Sequence, residues 1–261
     1  MAVLDLPKAW LAHPLTRGLD LDDPRLNDQR RRIIAQKPFL RRIYQEWYTA
    51  IVEALPPGDA PVLEIGSGAG FLVDFIPGLI TSEVVTSPGM RIVLDGTLLP
   101  FGPDVLRAVV MTNVLHHLTQ PRRFFAEAGR CVRPGGAIVM IEPWVSQWSR
   151  FVYGRLHHEP FNPEALAWEI PPTGPLSGAN GALPWILFVR DRRQFEREFP
   201  AWGVESIRLG MPFRYLVSGG ISMRTLMPSL TFRAWRRVEL QLEPWMAKWA
   251  MFAQITLRRR G

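Results

Sequence analysis

Apolar and polar positions along this chain follow two different periods. Over 38–55, Leu40, Ile43, Trp47, Ile51 and Leu55 recur every three or four residues, which predicts an amphipathic helix. Pro56-Pro57-Gly58 ends it. Before it, 17–32 is rich in Asp and Arg and reads as polar loop and helix start. After it, short apolar runs at 61–65, 79–83, 91–95, 107–112 and 136–142 read as buried strands. Helices are expected between them at 69–76 and 121–132, the second carrying Phe124, Phe125, Ala128 and Cys131 on one face. The pattern resumes with a helix at 191–199, a strand at 204–209, a helix at 228–242 and a strand at 251–257. Such alternation predicts an α/β fold: a doubly wound, mostly parallel sheet of seven strands with helices on both faces.

Two places depart from that rhythm. Only seven residues separate Glu83 from Arg91, too few for a helical crossover, so a turn is expected there. The stretch 144–188, dense in Pro, Gly, Asn and Trp, reads as an irregular insertion after the fifth strand. Segments of that kind commonly serve as lids or binding loops. The expected organisation is an N-terminal helical cap over 1–57 and one domain over 58–261 that carries the insertion.

The most specific stretch is 62–70, Val-Leu-Glu-Ile-Gly-Ser-Gly-Ala-Gly. A buried strand running into three glycines makes a turn whose backbone can approach a ligand closely. A dinucleotide fingerprint requires Gly-x-Gly-x-x-Gly. Here the spacing is Gly66-x-Gly68-x-Gly70, with Phe71 in the place of the third dinucleotide glycine. Three further segments follow in order: Asp95-Gly96-Thr97-Leu98-Leu99-Pro100-Phe101, the strand ending in Asn113 before Val-Leu-His-His-Leu, and Arg133-Pro134-Gly135-Gly136 before another strand. Together these resemble class I S-adenosylmethionine-dependent methyltransferases of the quinone-biosynthesis type, closely over 61–143. The fold of that family is Rossmann-like.

The resemblance implies S-adenosyl-L-methionine as cofactor, bound by Glu64, Gly66, Ser67, Gly68, Gly70, Glu83, Asp95, Gly96 and Asn113. Glu83 would take the ribose hydroxyls, Asp95 the adenine amino group, and Glu64 would lie near the methionine ammonium. Glu64 in an apolar strand needs some such partner, because an unpaired buried carboxylate is costly. Asp95 before Gly96 also suits a plain turn. His116 and His117 follow the fourth strand and are the catalytic candidates, since a phenol or enol acceptor must lose a proton. His157, His158 and Glu159 are second candidates; their spacing fits no metal-ligand template, and no metal is expected. Arg107 stands where the family commonly has Asp. The Asn/Asp-Pro-Pro-aromatic sequence of amine methylation on nucleic-acid bases is missing, which makes nucleic acid an unfavoured substrate.

Composition narrows the setting. One cysteine in 261 residues permits no internal disulfide. No secretory leader and no membrane-spanning run are read, so a cytoplasmic setting is expected. The net charge of +7 is concentrated in 208–261, which hold ten basic and two acidic residues. Around 230–242, Leu230, Trp235, Val238 and Leu242 share a face, with Arg233, Arg236 and Arg237 largely off it. Such a helix suits either packing on the sheet or peripheral contact with an anionic membrane. The expected activity is methyl transfer to oxygen or carbon of an apolar small molecule: a lipid, quinone precursor or secondary metabolite. The alternatives are a cofactor-binding accessory protein without turnover, or a methyltransferase for RNA or protein. The oligomeric state is not readable.

Overall fold

The computed structural model describes residues 13–14, 25–86, 89–156, 159–171 and 178–261. Seven strands form one sheet: β1 (Val62–Glu64), β2 (Ile80–Glu83), β3 (Ile92–Val93), β4 (Leu106–Thr112), β5 (Val132–Pro143), β6 (Trp202–Gly210) and β7 (Phe252–Arg259). Their order is β3-β2-β1-β4-β5-β7-β6. The β1–β2, β2–β3, β1–β4 and β4–β5 pairs are parallel, whereas β7 runs antiparallel to both β5 and β6. The chain therefore steps outward from β1 to β3, then returns and steps outward the other way from β4. Where the direction reverses, between β1 and β4, a crevice opens at the carboxyl ends of the strands.

The central strands are buried on both faces, which explains their unbroken apolar runs. Leu63, Val109, Ile138 and Ile255 point into one core cluster; Val62, Val110, Val139 and Ile141 point into the other. The first face is covered by α3 (Pro121–Cys131), whose Phe124, Phe125, Ala128 and Cys131 are all fully buried, as the spacing predicted. The second is covered by α2 (Pro38–Ala54), through Leu40, Ile43 and Ile51, with α1 (Arg25–Gln36) leading into it. At their junction the buried Lys37 ammonium donates to the carbonyls of Ser218, Gly220 and Met223. Burial lowers its pKa to about 8.

Several expectations are corrected. The helix expected over 69–76 is only a 3-10 turn, Leu72–Asp74. Pro77 and Gly78, the latter at φ +74°, stop any extension, and only fifteen residues separate Glu64 from Ile80. The turn reading of Arg133 to Gly136 gives way to β5, which already starts at Val132. The insertion is less irregular than its composition: it holds α4 (Gln147–Leu156) and helical turns at Leu183–Trp185 and Ile186–Arg190. The expected helix over 191–199 is α5 (Arg192–Glu198), and a short α6 (Arg214–Ser218) was not foreseen. As expected, no helix is present among the described residues between β2 and β3.

The helix expected over 228–242 is α7 (Phe232–Gln241), but its buried face is not the one foreseen. Phe232 and Glu239 face inward; Leu230 is 82% exposed, Val238 is exposed, and Trp235 and Leu242 are half-buried. The helix rests on α2 and α6, not on the sheet. Phe232 meets Phe39 edge-on at 5.0 Å, and Glu239 accepts from Arg214 Nε at 2.5 Å and from the backbone N–H groups of Phe213 and Arg214. Arg214 also reaches Glu46 of α2 at 2.7 Å.

Removing one partner of a buried ion pair leaves the other charge without compensation, typically at about 3–5 kcal/mol. Arg214 retains Glu46, so Glu239→Ala is expected to cost about 3 kcal/mol, at the lower end. Urea unfolding monitored by tryptophan fluorescence measures it. A loss below about 1 kcal/mol would show that α7 is held by Phe232 alone.

Candidate active site

A cavity of about 380 Å³ occupies the crevice at the carboxyl ends of β1, β2 and β4. Its lining includes Glu64, Gly66, Ser67, Gly68, Gly70, Glu83, Asp95, Gly96, Asn113, His116 and His117, and the second candidate Glu159. Tyr44 and Tyr48 come from the cap helix α2 and Glu159 to Phe161 from the insertion, the two segments expected near the pocket, whereas Asn27 and Arg30 of α1 were not foreseen.

The glycine turn is held in place from both sides. Ser67 N–H donates to Ser82 O at 2.8 Å, and Ser82 N–H donates to Ser67 Oγ at 3.1 Å, tying the turn to β2. Gly66 has φ +64°, and a Cβ there would lie 2.6 Å from Val114 Cγ2. Gly68 has φ +45°, and a Cβ there would sit 3.4 Å from the Glu83 carboxylate, in the path between turn and acid. Gly66 thus needs glycine for conformation and for space, Gly68 for conformation. Gly70 lies against the Tyr48 hydroxyl.

Three acids face this end. Glu64 is buried, and burial pushes its pKa up to about 7, Ser67 opposing through a hydrogen bond and the Glu83 charge adding to the rise. Glu83 is also raised by burial, while the N–H groups of Val84 and Gly68 pull against it. Asp95 is different: it is exposed at the rim, and its Oδ1 accepts from Thr97 N–H at 2.8 Å, the turn-forming role that its place before Gly96 also suits. Thr112 Oγ1, at the end of β4, is buried against the cavity with no hydrogen-bond partner. An orphaned hydroxyl beside a glycine cradle and two buried acids fits a polar ligand with an amine and a diol.

The other end is built around Glu142, a fully buried carboxylate on β5. Its Oε1 accepts from Val114 N–H and Leu115 N–H, both at 2.8 Å, and its Oε2 lies 2.6 Å from His116 Nδ1. This clamps the turn after β4, where Asn113 sits at φ +57° and where backbone strain is tolerated only under such constraint. Burial disfavours the His116 charge, but Glu142 and then Glu159 outweigh it and raise the pKa to about 9. His117 is pushed down to about 4 by burial and by the charge of His116. Its Nδ1 donates to Gly178 O at 3.1 Å. Glu159 closes the group, 3.7 Å from His116 Nε2 and 4.0 Å from His117 Nε2. Beyond these, Tyr153, Phe161, Tyr215 and Phe252 line an aromatic chamber continuous with the glycine end. The calls on His157 and His158 lie outside the described residues.

Glu142 carried a weak signal, a lone acid at the end of an apolar strand. Glu159 carried none that tied it to His116, because β5 and α4 intervene.

Residues 63–140 match the family model of a methyltransferase domain, Methyltransf_11. No curated protein matches the chain. Among solved structures, a chain of the complex between the Haloferax volcanii Trm112 methyltransferase activator and a methyltransferase aligns with TM-score 0.51 at 12% identity, covering 93% of this chain and 98% of that one. Geranyl diphosphate C-methyltransferase from Streptomyces coelicolor A3(2), in complex with Mg2+, geranyl-S-thiolodiphosphate and S-adenosyl-L-homocysteine, aligns with TM-score 0.50 at 14% identity, covering 96% and 87%. At these identities the likeness is one of fold.

The Glu64 shift has a consequence for stability. Its pKa is higher folded, about 7, than the ordinary 4.5, so its contribution is fully present below pH 4.5 and is lost as pH rises to about 7. Glu64→Gln is expected to remove that part of the slope. Urea midpoints of both proteins at pH 5, 6, 7 and 8 test it; parallel curves would place the titration elsewhere.

Proposed function

We propose that this chain, a class I S-adenosylmethionine-dependent methyltransferase, transfers a methyl group to oxygen or carbon of an apolar small molecule held in the aromatic chamber. The observation that carries this reading is the single cavity joining the glycine turn to the chamber past His116 and His117. The cofactor supplies a methyl carbon activated by a positive sulfur. In this reading Gly66, Ser67, Gly68 and Gly70 cradle it, Glu83 takes its ribose hydroxyls, and Glu64 in ionised form faces its ammonium. Asn113 and Gly96 complete the walls, with Asp95 at the rim toward the adenine. What remains for the protein is alignment of the nucleophile and exclusion of water. Tyr153, Phe161 and Tyr215 exclude water, and the His116–His117–Glu159 group handles the acceptor's proton.

The cap and the insertion then work as one wall. Tyr44 and Tyr48 come from α2, Tyr153 from α4, and Glu159 to Phe161 from the segment after it. The basic C-terminal region does not favour RNA. Arg258, Arg259, Arg214 and Arg236 are already paired with Glu205, Asp104, Glu239 and Glu46.

Incubation with methyl-labelled cofactor and fractionated extract tests the reading. Label is expected in an organic-soluble product. His117→Ala is expected to lose turnover by about 10²–10⁴-fold while binding cofactor normally. Gly68→Val is expected to lose cofactor binding outright. Label found only in RNA or protein would overturn it.

We further propose that α7 meets an anionic membrane surface at the inner face of the cell membrane, where an apolar acceptor dissolves. No helix among the described residues is long and apolar enough to cross a membrane. However, Leu230, Val238, Leu240 and Trp245 are exposed beside the exposed Arg233 and Arg237. Each basic residue near such a surface contributes about 1 kcal/mol, enough for reversible association. Flotation with anionic vesicles at low salt checks it: the wild type should float, and a Leu230→Asp/Trp245→Asp variant should stay at the bottom. If both sediment, the surface has no membrane role.

A further inference from the structure

Both histidines behind the glycine turn are anchored through the same ring atom. His116 Nδ1 faces the Glu142 carboxylate at 2.6 Å, and His117 Nδ1 donates to the Gly178 carbonyl at 3.1 Å. Each anchor fixes a ring orientation, and each leaves Nε2 directed at the same small volume. A carboxylate or backbone carbonyl on the far nitrogen is the usual support of a metal-ligating histidine, because it sets the tautomer and raises the basicity of the ligating atom.

The third member is Glu159. Its two oxygens lie 3.7 Å from His116 Nε2 and 4.0 Å from His117 Nε2. One ligand atom from each of the three residues lies within 4.8 Å of the others. Those separations are long for hydrogen bonds. The two Glu159 separations are a little wider than the edge of a tetrahedron around zinc, roughly 3.4 Å for bonds of about 2.0–2.1 Å, so side-chain rotation would be needed to bring all three residues onto one ion. The two imidazole ring centroids are 4.2 Å apart and the planes are tilted by 41°, so the rings are neighbours without stacking face to face.

We propose that His116 Nε2, His117 Nε2 and the Glu159 carboxylate bind one zinc-class divalent cation, whose open coordination position faces the aromatic chamber and takes a hydroxyl of the acceptor. Two imidazoles and one carboxylate suit zinc and its neighbours far better than magnesium or calcium, which prefer all-oxygen shells. Three protein ligands with one side open is the arrangement of catalytic zinc sites, in contrast to structural ones. The cavity wall supplies the open side, since all three residues line it.

The inference rests on the reading of the chamber as the acceptor site, and it narrows the acceptor to a hydroxyl compound such as a phenol or enol. On the cation that hydroxyl is more acidic. Its O–H bond breaks and the proton passes to the Glu159 oxygen that is not on the cation. The oxygen lone pair forms the new O–CH3 bond as the C–S bond breaks, and the C–S bonding pair stays on sulfur. The cation is neither oxidised nor reduced. With the cation bound, His117 Nε2 is a ligand and takes no proton itself.

Equilibrium dialysis of the full chain against Zn2+, with metal analysis of the protein, tests this without acceptor or turnover. One zinc per chain is expected for the wild type. His117→Ala and Glu159→Gln are expected to weaken binding at least 100-fold while S-adenosylmethionine affinity, measured by calorimetry, stays unchanged. Glu142→Gln is expected to weaken it about 10–100-fold through the His116 ring. Substitution with Co2+ should give the visible absorption of a four- or five-coordinate nitrogen–oxygen site, lost in His117→Ala. Zinc binding that is absent, or unchanged in both ligand variants, overturns the metal site. Normal cofactor affinity in the same preparations then leaves the methyltransferase reading intact, whereas loss of cofactor binding by the wild type would count against that reading instead.

Discussion

One buried carboxylate ties the sheet to the chemistry. Glu142 lies within β5, fully out of water, and has three partners on the neighbouring turn: the N–H groups of Val114 and Leu115 and the ring of His116. A buried acid is tolerable only when its oxygens are satisfied, and here the satisfaction is supplied by the segment that leaves β4. The constraint works in both directions. The turn cannot move without stranding the acid, so Asn113 keeps its left-handed backbone and both histidines keep their places at the crevice.

The crevice itself follows from strand order. Reversal between β1 and β4 separates the connections that leave those strands, and the glycine turn fills one side while the Glu142-clamped turn fills the other. The two ends of the cavity are electrostatically unlike. At the glycine end, burial pushes both Glu64 and Glu83 toward the protonated form. At the far end, cationic and neutral imidazoles sit side by side, the first held charged by Glu142 and Glu159, the second kept neutral by burial and by its neighbour.

The segments outside the sheet are joined to this site by polar contacts in an otherwise apolar surround. Arg214 bridges Glu239 of α7 and Glu46 of α2, one residue before Tyr215, which lines the chamber. Lys37 holds the turn that carries Ile221 and Ser222 into the same lining. Surface helix, cap and chamber wall are therefore joined through Arg214, one residue from the cavity lining.

The sequence by itself determined the sheet and the glycine turn. Strands buried on both faces must be continuous runs of apolar residues, so 61–65, 107–112 and 136–142 could be read directly. A backbone that must approach a ligand requires glycine, so Gly66 and Gly68 declared the turn. Glu64 and Glu83 stood out as acids at the ends of apolar strands, and both line the cavity. Tertiary structure alone decided three things. Pro77 and a short connection reduced an expected helix to Leu72–Asp74, because length between strands outweighs local periodicity. The burial of α7 was decided by the ion pair at Glu239, which turned Phe232 inward and left Leu230 in solvent. And the convergence of His116, His117 and Glu159 depends on how the chain returns after β5 and α4, a long-range packing outcome that no local spacing records.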